Sequence, residues 1–385
     1  MPQKVTLFVS TVGTSLYTNA ANEEQRKLLS EYANETKEAN LPSELVNHLK
    51  QREAELINEF AALSLSEARK RSAELNGLLA DARSSPADAL RGTHHILITT
   101  DTALGQRAGF ALKGLLESVG AVVLEVFTPQ NLRTDTTANF QQGVRKLIAW
   151  CAETLEGYRQ IYTVCFNLVG GFKTLQGYMT VLGMFYANEI LYVFETGDQT
   201  IRIPRLPIVL DDAVIRKHAA SLALLCAYDE PLPRRCLPDP QLPDVFIEPI
   251  NGDHVTASAW GLLLWNQRKD ELLAETLLPL PRLCYSDKFK RRFDKSDNPA
   301  RVAVQETLAK VSFLLCAHDG DLSALKRDGG LQYEDYVNRR TRDDQPISHF
   351  RINQSDRVNC VYRNGELILC EFGPHDVERN PCAGE

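Results

Sequence analysis

Two short segments hold residue types that could grip a phosphodiester. The first is Ser10-Thr11-Val12-Gly13-Thr14-Ser15, where a strand-like run ends in a glycine turn flanked by hydroxyls. The second is Asn167-Leu168-Val169-Gly170-Gly171-Phe172-Lys173-Thr174, where an apolar run ends in two glycines and a lysine opens the next helix. Such a turn exposes backbone N–H groups beside a helix N-terminus, whose partial positive charge attracts anions. Lys173 adds a full charge, and Thr11, Thr14 and Ser15 add hydroxyls able to donate to phosphate or ribose oxygens. The spacing alone fits an ordinary βα turn with a solvated lysine equally well. Neither segment has the three spaced glycines of a dinucleotide site or the Gly-Lys-Ser/Thr ending of a Walker loop, so NAD and ATP sites are poorly supported.

A third set of residues lies between positions 282 and 363, where 16 Lys and Arg face 12 Asp and Glu in a chain whose formal charge is −7. Metal-free RNA cleavage requires a group to activate the 2′-hydroxyl, cations to stabilise the phosphorane, and an acid for the 5′-oxygen. Arg351 and Arg357 fall on neighbouring predicted strands and suit the second task, though a surface ion pair would also explain them. His349 and His375 lie near strand ends, within reach of the same cleft. Arg339, Arg340 and Arg342 fall in a predicted loop facing RNA backbone, with Tyr333 and Tyr336 in the same loop as possible acids. The cluster Lys288–Arg292 reads as a solvated or RNA-facing helix side.

The elements that must position these groups follow from periodicity. Apolar runs at 4–10, 94–100, 121–128, 160–167, 189–195 and 200–204 alternate with helical patterns at 104–119, 139–155 and 171–187. This alternation predicts an α/β fold with a parallel sheet covered on both faces, and both glycine turns at carboxyl strand ends, where such sheets bind ligands. A charged, Ala/Leu-rich stretch at about 22–89 interrupts it; Leu45, Leu49, Leu56, Phe60 and Leu63 recur at helical spacing, predicting one or two packed amphipathic helices rather than ligand contacts. Prolines crowd 229–250, predicting a semi-rigid connector. Beyond it come a helix at 256–278, a strand at 282–286, helices at 287–293 and 299–317, and antiparallel strands at 349–353, 357–362 and 367–372 with an Asn364-Gly365 turn. The organisation expected is 1–212, a connector at 213–280, and a small α+β domain at 281–385.

Composition is that of an ordinary globular chain, 44% hydrophobic and 24% charged. The negative charge disfavours a broad nucleic-acid-coating surface while leaving a local basic cleft open. Nine scattered cysteines form no CxxC pair or Cys/His metal spacing, so no metal site is expected and a reduced cytoplasm is. No apolar stretch approaches membrane-spanning length.

The two glycine segments together resemble the CARF domain, the Rossmann-like sensor of type III CRISPR ancillary effectors, over about the first 210 residues. The resemblance implies a homodimer binding a cyclic oligoadenylate across its twofold, with Thr11, Gly13, Thr14, Ser15, Asn167, Gly170, Gly171, Phe172 and Lys173 lining the site. Cyclic tetra-adenylate is the activator expected, although these residues do not fix ring size; no cofactor is implied. Residues 282–293 and 349–362, with Gly373-Pro374-His375, resemble RelE-family toxins, which cleave mRNA in the ribosomal A site. The whole then resembles a CARF–RelE mRNA interferase, a metal-independent endoribonuclease with mRNA and the ribosome as partners. RelE toxins often carry a terminal tyrosine or lysine in an acid–base role, whereas here Asp376-Val377-Glu378-Arg379 follows His375, leaving the general acid unassigned. Two other readings stay open. One is a CARF-type transcription regulator, which needs a helix-turn-helix. The other is a promiscuous single-strand ribonuclease, which needs an Arg-x₄₋₆-His helix that the last 140 residues do not contain.

Overall fold

The computed structural model describes residues 4–194 and 199–374. The chain divides into two compact units, Met1–Val209 and Leu210–Glu385.

In the first unit, β1 (Thr6–Thr11) leads through α1 (Ser15–Thr18) into the insertion: α2 (Glu23–Glu31), α3 (Ser43–Glu59), α4 (Leu65–Arg71), α5 (Ala73–Leu78) and α6 (Pro86–Leu90). The alternation resumes with β2 (His94–Ile98), α7 (Ala103–Ser118), β3 (Val122–Phe127), α8 (Thr137–Trp150), α9 (Glu156–Ile161), β4 (Thr163–Asn167), α10 (Lys173–Tyr186), β5 (Glu189–Val193) and β6 (Thr200–Pro204). The sheet order is β3-β2-β1-β4-β5-β6, with β1 to β5 parallel and β6 antiparallel at the edge. This is the expected α/β sheet. Its strands are apolar on both faces: Leu7, Val9, Ile96, Leu97, Val164 and Phe166 are all buried. The strand order reverses direction between β1 and β4, which is the topological switch point of such a sheet. Thr6 to Ser10 pair with Thr163 to Asn167 in register, so the two chain segments leave the sheet side by side.

The insertion forms five α-helices where one or two were expected. Leu45, Leu49, Leu56 and Phe60 bury in one cluster with Leu97, Leu104 and Leu112, which accounts for their helical spacing. Capping boxes at Asn22 and Ser64 and the Ser72 and Ser85 caps punctuate it.

The second unit begins with α11 (Asp212–Lys217) and α12 (Ala219–Leu225). The proline-rich stretch expected as a connector contains β7 (Leu232–Pro233), β8 (Ile247–Pro249) and β9 (His254–Ala257), in the order β7-β9-β8. Pro233 and Pro249 sit on the two edge strands, where a missing N–H costs no ladder bond, while β9 in the centre is proline-free. Then come α13 (Ala259–Glu275), β10 (Leu283–Tyr285), α14 (Asp287–Lys295), α15 (Asn298–Ala317) and α16 (Ser323–Arg327), followed by β11 (Glu334–Arg340), β12 (Pro346–Arg351), β13 (Asp356–Arg363) and β14 (Glu366–Pro374). The last four strands are antiparallel and β10 joins β14 in parallel, in the order β10-β14-β13-β12-β11. Residues 213–280 share one hydrophobic core with the five-stranded sheet: Leu222, Trp265 and Leu273 pack in the same cluster as Val304, Phe313, Phe350 and Leu369. Among the described residues no helix is long and apolar enough to cross a membrane.

Candidate functional site

The two glycine turns of the first unit touch. The Thr11 hydroxyl donates to the Gly170 carbonyl at 2.7 Å, and a β-carbon at Gly13 would lie 3.2 Å from the Gly171 nitrogen. Gly171 has φ +86°, and a β-carbon there would lie 2.9 Å from that of Thr11, so backbone conformation and close approach both require glycine. Gln176 secures the second turn by donating to the Leu168 carbonyl at 3.1 Å.

The accessible rim consists of Gly13, Thr14, Gly171, Phe172 and Lys173. Lys173 is exposed at the first turn of α10, with no hydrogen bond or ion pair among the described residues. Phe172 meets Phe140 edge-on at 5.8 Å, and Phe140 meets Tyr178 at 5.7 Å, an aromatic group beside the lysine. The other residues of the set face inward. Thr11, Asn167 and Gly170 are buried, and Ser15 is half-buried.

A residue not anticipated for this site, Glu74 of α5, fills the space behind the rim. It is 1% exposed. The Gly13 N–H donates to Oε1 at 2.8 Å and the Ser15 hydroxyl donates to Oε2 at 3.0 Å. The Ala73 N–H in turn donates to Ser15 Oγ at 3.0 Å. Asn167 Nδ2 donates to the Glu74 carbonyl at 3.0 Å and to Ser10 Oγ at 3.2 Å, while its Oδ1 has no hydrogen-bond partner among the described residues. Burial pushes the Glu74 pKa up, against the pull of the Gly13 N–H, its own N–H and the Ser15 and Ser72 hydroxyls. No cationic side chain among the described residues pairs with it. On an amphipathic surface helix a glutamate normally signals a solvated face, and only its approach to Gly170 marks it out. A β-carbon at Gly170 would lie 2.1 Å from Oε1.

The second unit presents a contrasting surface. Side chains alternate across its five-stranded sheet. Phe350, Val358, Cys360, Leu367 and Leu369 point into the core, placing His349, Arg351, Arg357 and Asn359 on the opposite face. Arg351 pairs directly with Arg357, and His349 with Asn359, the next same-face pair along the two strands. Arg351 Nε and Arg357 Nη1 both donate to the Asn353 carbonyl, at 3.1 and 2.8 Å, and Arg357 also donates to the Asp356 carbonyl. Among the described residues neither guanidinium meets a carboxylate. Gly373 pairs with Arg357, and a β-carbon there would lie 3.3 Å from Nη2 of Arg292, bringing a third guanidinium to this end of the sheet. Cations gathered without counter-charges suit an anionic ligand.

Arg339 and Arg340 lie in β11, a fifth strand, rather than in the expected loop; Arg342 occupies the exposed turn that follows. The run Glu334-Asp335-Tyr336-Val337-Asn338-Arg339-Arg340 is polar because β11 is an edge strand, and that polarity hides it from a reading of apolar periodicity. Arg339 stacks over the Tyr336 ring at 4.4 Å, and the His349 ring stacks on the same tyrosine at 4.4 Å between centroids. The Tyr336 hydroxyl donates to Asn359 Oδ1 at 2.8 Å. Tyr336 therefore shares a cluster with His349, whereas Tyr333 is buried in the core. His375 lies outside the described residues. No three His, Cys, Asp or Glu side chains among the described residues converge to hold a metal ion.

A family model described as CRISPR-associated protein (Cas_APE2256) matches residues 69–206. The matched stretch lies within the first unit and contains Glu74 and the second glycine turn. It supports a CRISPR-associated protein. No curated protein matches the chain.

Proposed function

We propose that the chain is a nucleotide-gated ribonuclease of CRISPR defence: the first unit binds a cyclic oligoadenylate, and the second cleaves mRNA held in the ribosomal A site. The observation that carries this reading is the meeting of two glycine turns at the β1/β4 switch point of a unit similar to CRISPR-associated proteins. Gly13, Thr14, Gly171, Phe172 and Lys173 form the rim that receives ligand phosphates and bases. Two copies of the rim across a twofold match a symmetric cyclic ligand, so the working form is a homodimer.

In the second unit, Arg351 and Arg357 hold the scissile phosphate and stabilise the phosphorane as charge builds on its oxygens. His349, stacked on Tyr336 beside them, carries a proton to or from the reacting oxygens. Ile347, His349 and Val361 on this face are buried and Arg351 and Arg357 are half-buried at its end, so the accessible surface is small and the ribosome supplies the positioning of the mRNA. Arg339, Arg340 and Arg342 contact RNA backbone. The test is a cleavage assay on translating ribosomes with cyclic tri-, tetra- and hexa-adenylate in turn. Activator-dependent cleavage of A-site mRNA, with little cleavage of free RNA, is the expected result. Equal degradation of naked RNA would replace this reading with a promiscuous single-strand ribonuclease, and no cleavage with any activator would remove the enzyme assignment.

A further inference from the structure

The anion seat behind the rim is already filled by the protein's own carboxylate. Glu74 takes the Gly13 N–H and the Ser15 hydroxyl, two donors of the first glycine segment, at 2.8 and 3.0 Å. A carboxylate with two backbone and hydroxyl donors presents the same charge and oxygen geometry as one edge of a phosphate. The fit is built in from both sides. Gly170 leaves room for the carboxylate, and Gly77 lets α5 approach Asn167 so closely that a β-carbon would lie 2.1 Å from Asn167 Oδ1. That oxygen is itself buried without a hydrogen-bond partner among the described residues. A glutamate serving only to pack would be expected to meet a cation or be replaced by glutamine, since burying an unpaired charge is costly. Glu74 has only neutral donors, so no ion pair fixes it in the seat.

We infer that Glu74 is a specificity-determining residue that occupies the seat in place of a phosphate and yields it to ligands bearing several phosphates at once. A single phosphate offers the seat no more than the tethered carboxylate does, and it must also give up its freedom of motion. A ligand whose other phosphates engage Lys173 and the rim brings the additional binding free energy needed to displace the side chain. Nucleoside monophosphates and free phosphate are thereby excluded. The segment that carries Glu74 has its own supports. Ser64 and Glu67 cap α4 reciprocally, Arg69 Nε donates to Asn76, and Asp81 is held by Arg202 at 2.8 Å and Thr200 at 2.9 Å. Release of the carboxylate therefore loosens α5 and leaves the rest of the insertion in place.

This inference rests on the sensor reading only for the identity of the multivalent ligand. The test compares the full-length wild type with Glu74→Gln, which keeps the shape and removes the charge. Two probes are used, inorganic phosphate by thermal shift and cyclic tetra-adenylate by calorimetry. Inorganic phosphate should raise the melting temperature of Glu74→Gln and leave the wild type unmoved, and cyclic tetra-adenylate should bind the variant about tenfold more tightly, the worth of one charge-assisted hydrogen bond. Should the variant fold poorly, hydrogen exchange on the wild type gives the same answer: ligand binding should speed exchange of amides 73–79. Equal affinity of both proteins for cyclic tetra-adenylate, with no phosphate response, overturns the role of Glu74 and leaves the sensor reading standing. A phosphate response confined to the variant, with no cyclic oligoadenylate bound by either protein, upholds the seat and removes the sensor reading. Slowed or unchanged exchange at 73–79 on ligand binding also overturns the inference.

Discussion

The two units meet the problem of an anionic ligand in opposite ways. The first uses neutral donors in a crevice, a backbone N–H and a hydroxyl, and satisfies them in advance with Glu74. The second lays two half-buried guanidiniums side by side at the end of a sheet face and leaves them to carbonyl oxygens of the Asn353–Asp356 turn. A crevice lined by N–H groups cannot remain dry and unpaired, because buried donors are expensive to leave unsatisfied. A half-buried arginine carries less of that penalty, because water reaches its guanidinium. The crevice thus suits a site that must discriminate, and the arginine pair suits one that receives any anion presented to it.

The largest expected effect breaks the comparison at the arginine pair. Arg357→Ala should lower cleavage of A-site mRNA by about 10²–10³, the typical cost of removing a group that braces transition-state charge. Calorimetry should show cyclic oligoadenylate binding unchanged in the same protein, and wild-type cleavage rates would take Arg357 out of the reaction. Next in size is Lys173→Ala, which should weaken activator binding by roughly 1.5–3 kcal/mol for each charge-assisted hydrogen bond removed. Retained affinity would place Lys173 outside the site. Gly171→Ala should destabilise the first unit by about 1–3 kcal/mol through its positive φ and its close approach to Thr11. Denaturant unfolding checks this, and a variant as stable as wild type would mean that the two turns are not held together.

The smallest effect is a slope. Burial raises the folded-state pKa of Glu74 above its ordinary value of 4.5, so the folded protein binds this proton more tightly than the unfolded chain does. Its stabilising contribution is complete below that ordinary value and is lost as pH rises through the folded one. Melting temperatures taken from acid to neutral pH should therefore fall more in wild type than in Glu74→Gln. Parallel profiles would show that the carboxylate titrates as it does in water.

The parallel sheet was legible because its strands are apolar on both faces and its helices are apolar on one, a pattern that leaves few alternatives. The placement of both glycine segments at strand ends followed from the same pattern. Arg351 and Arg357 were legible as neighbours because a short antiparallel set of strands alternates core and surface residues. Glu74 was not, since nothing in a charged helix distinguishes the one glutamate that turns inward. That distinction depends on Gly170, far along the chain, and on Gly77, one turn away, and both acquire meaning only when the turns meet. The polar strand β11 and the short edges β7 and β8 escaped for a related reason: an edge strand is under less pressure to look like a strand.

The position of β14 has a consequence for how the protein is made. It lies between β10 and β13, so Leu283 to Tyr285 must wait for partners, Leu367 to Leu369, that appear much later in the chain. Until residues 366–374 have left the ribosome, the sheet under Arg351 and Arg357 lacks an inner strand and the core side chains Leu367, Leu369 and Phe372. The first unit has all of its described strands by residue 204. Domains fold in order as they emerge, so synthesis completes the first unit well before the sheet that carries Arg351 and Arg357 takes shape.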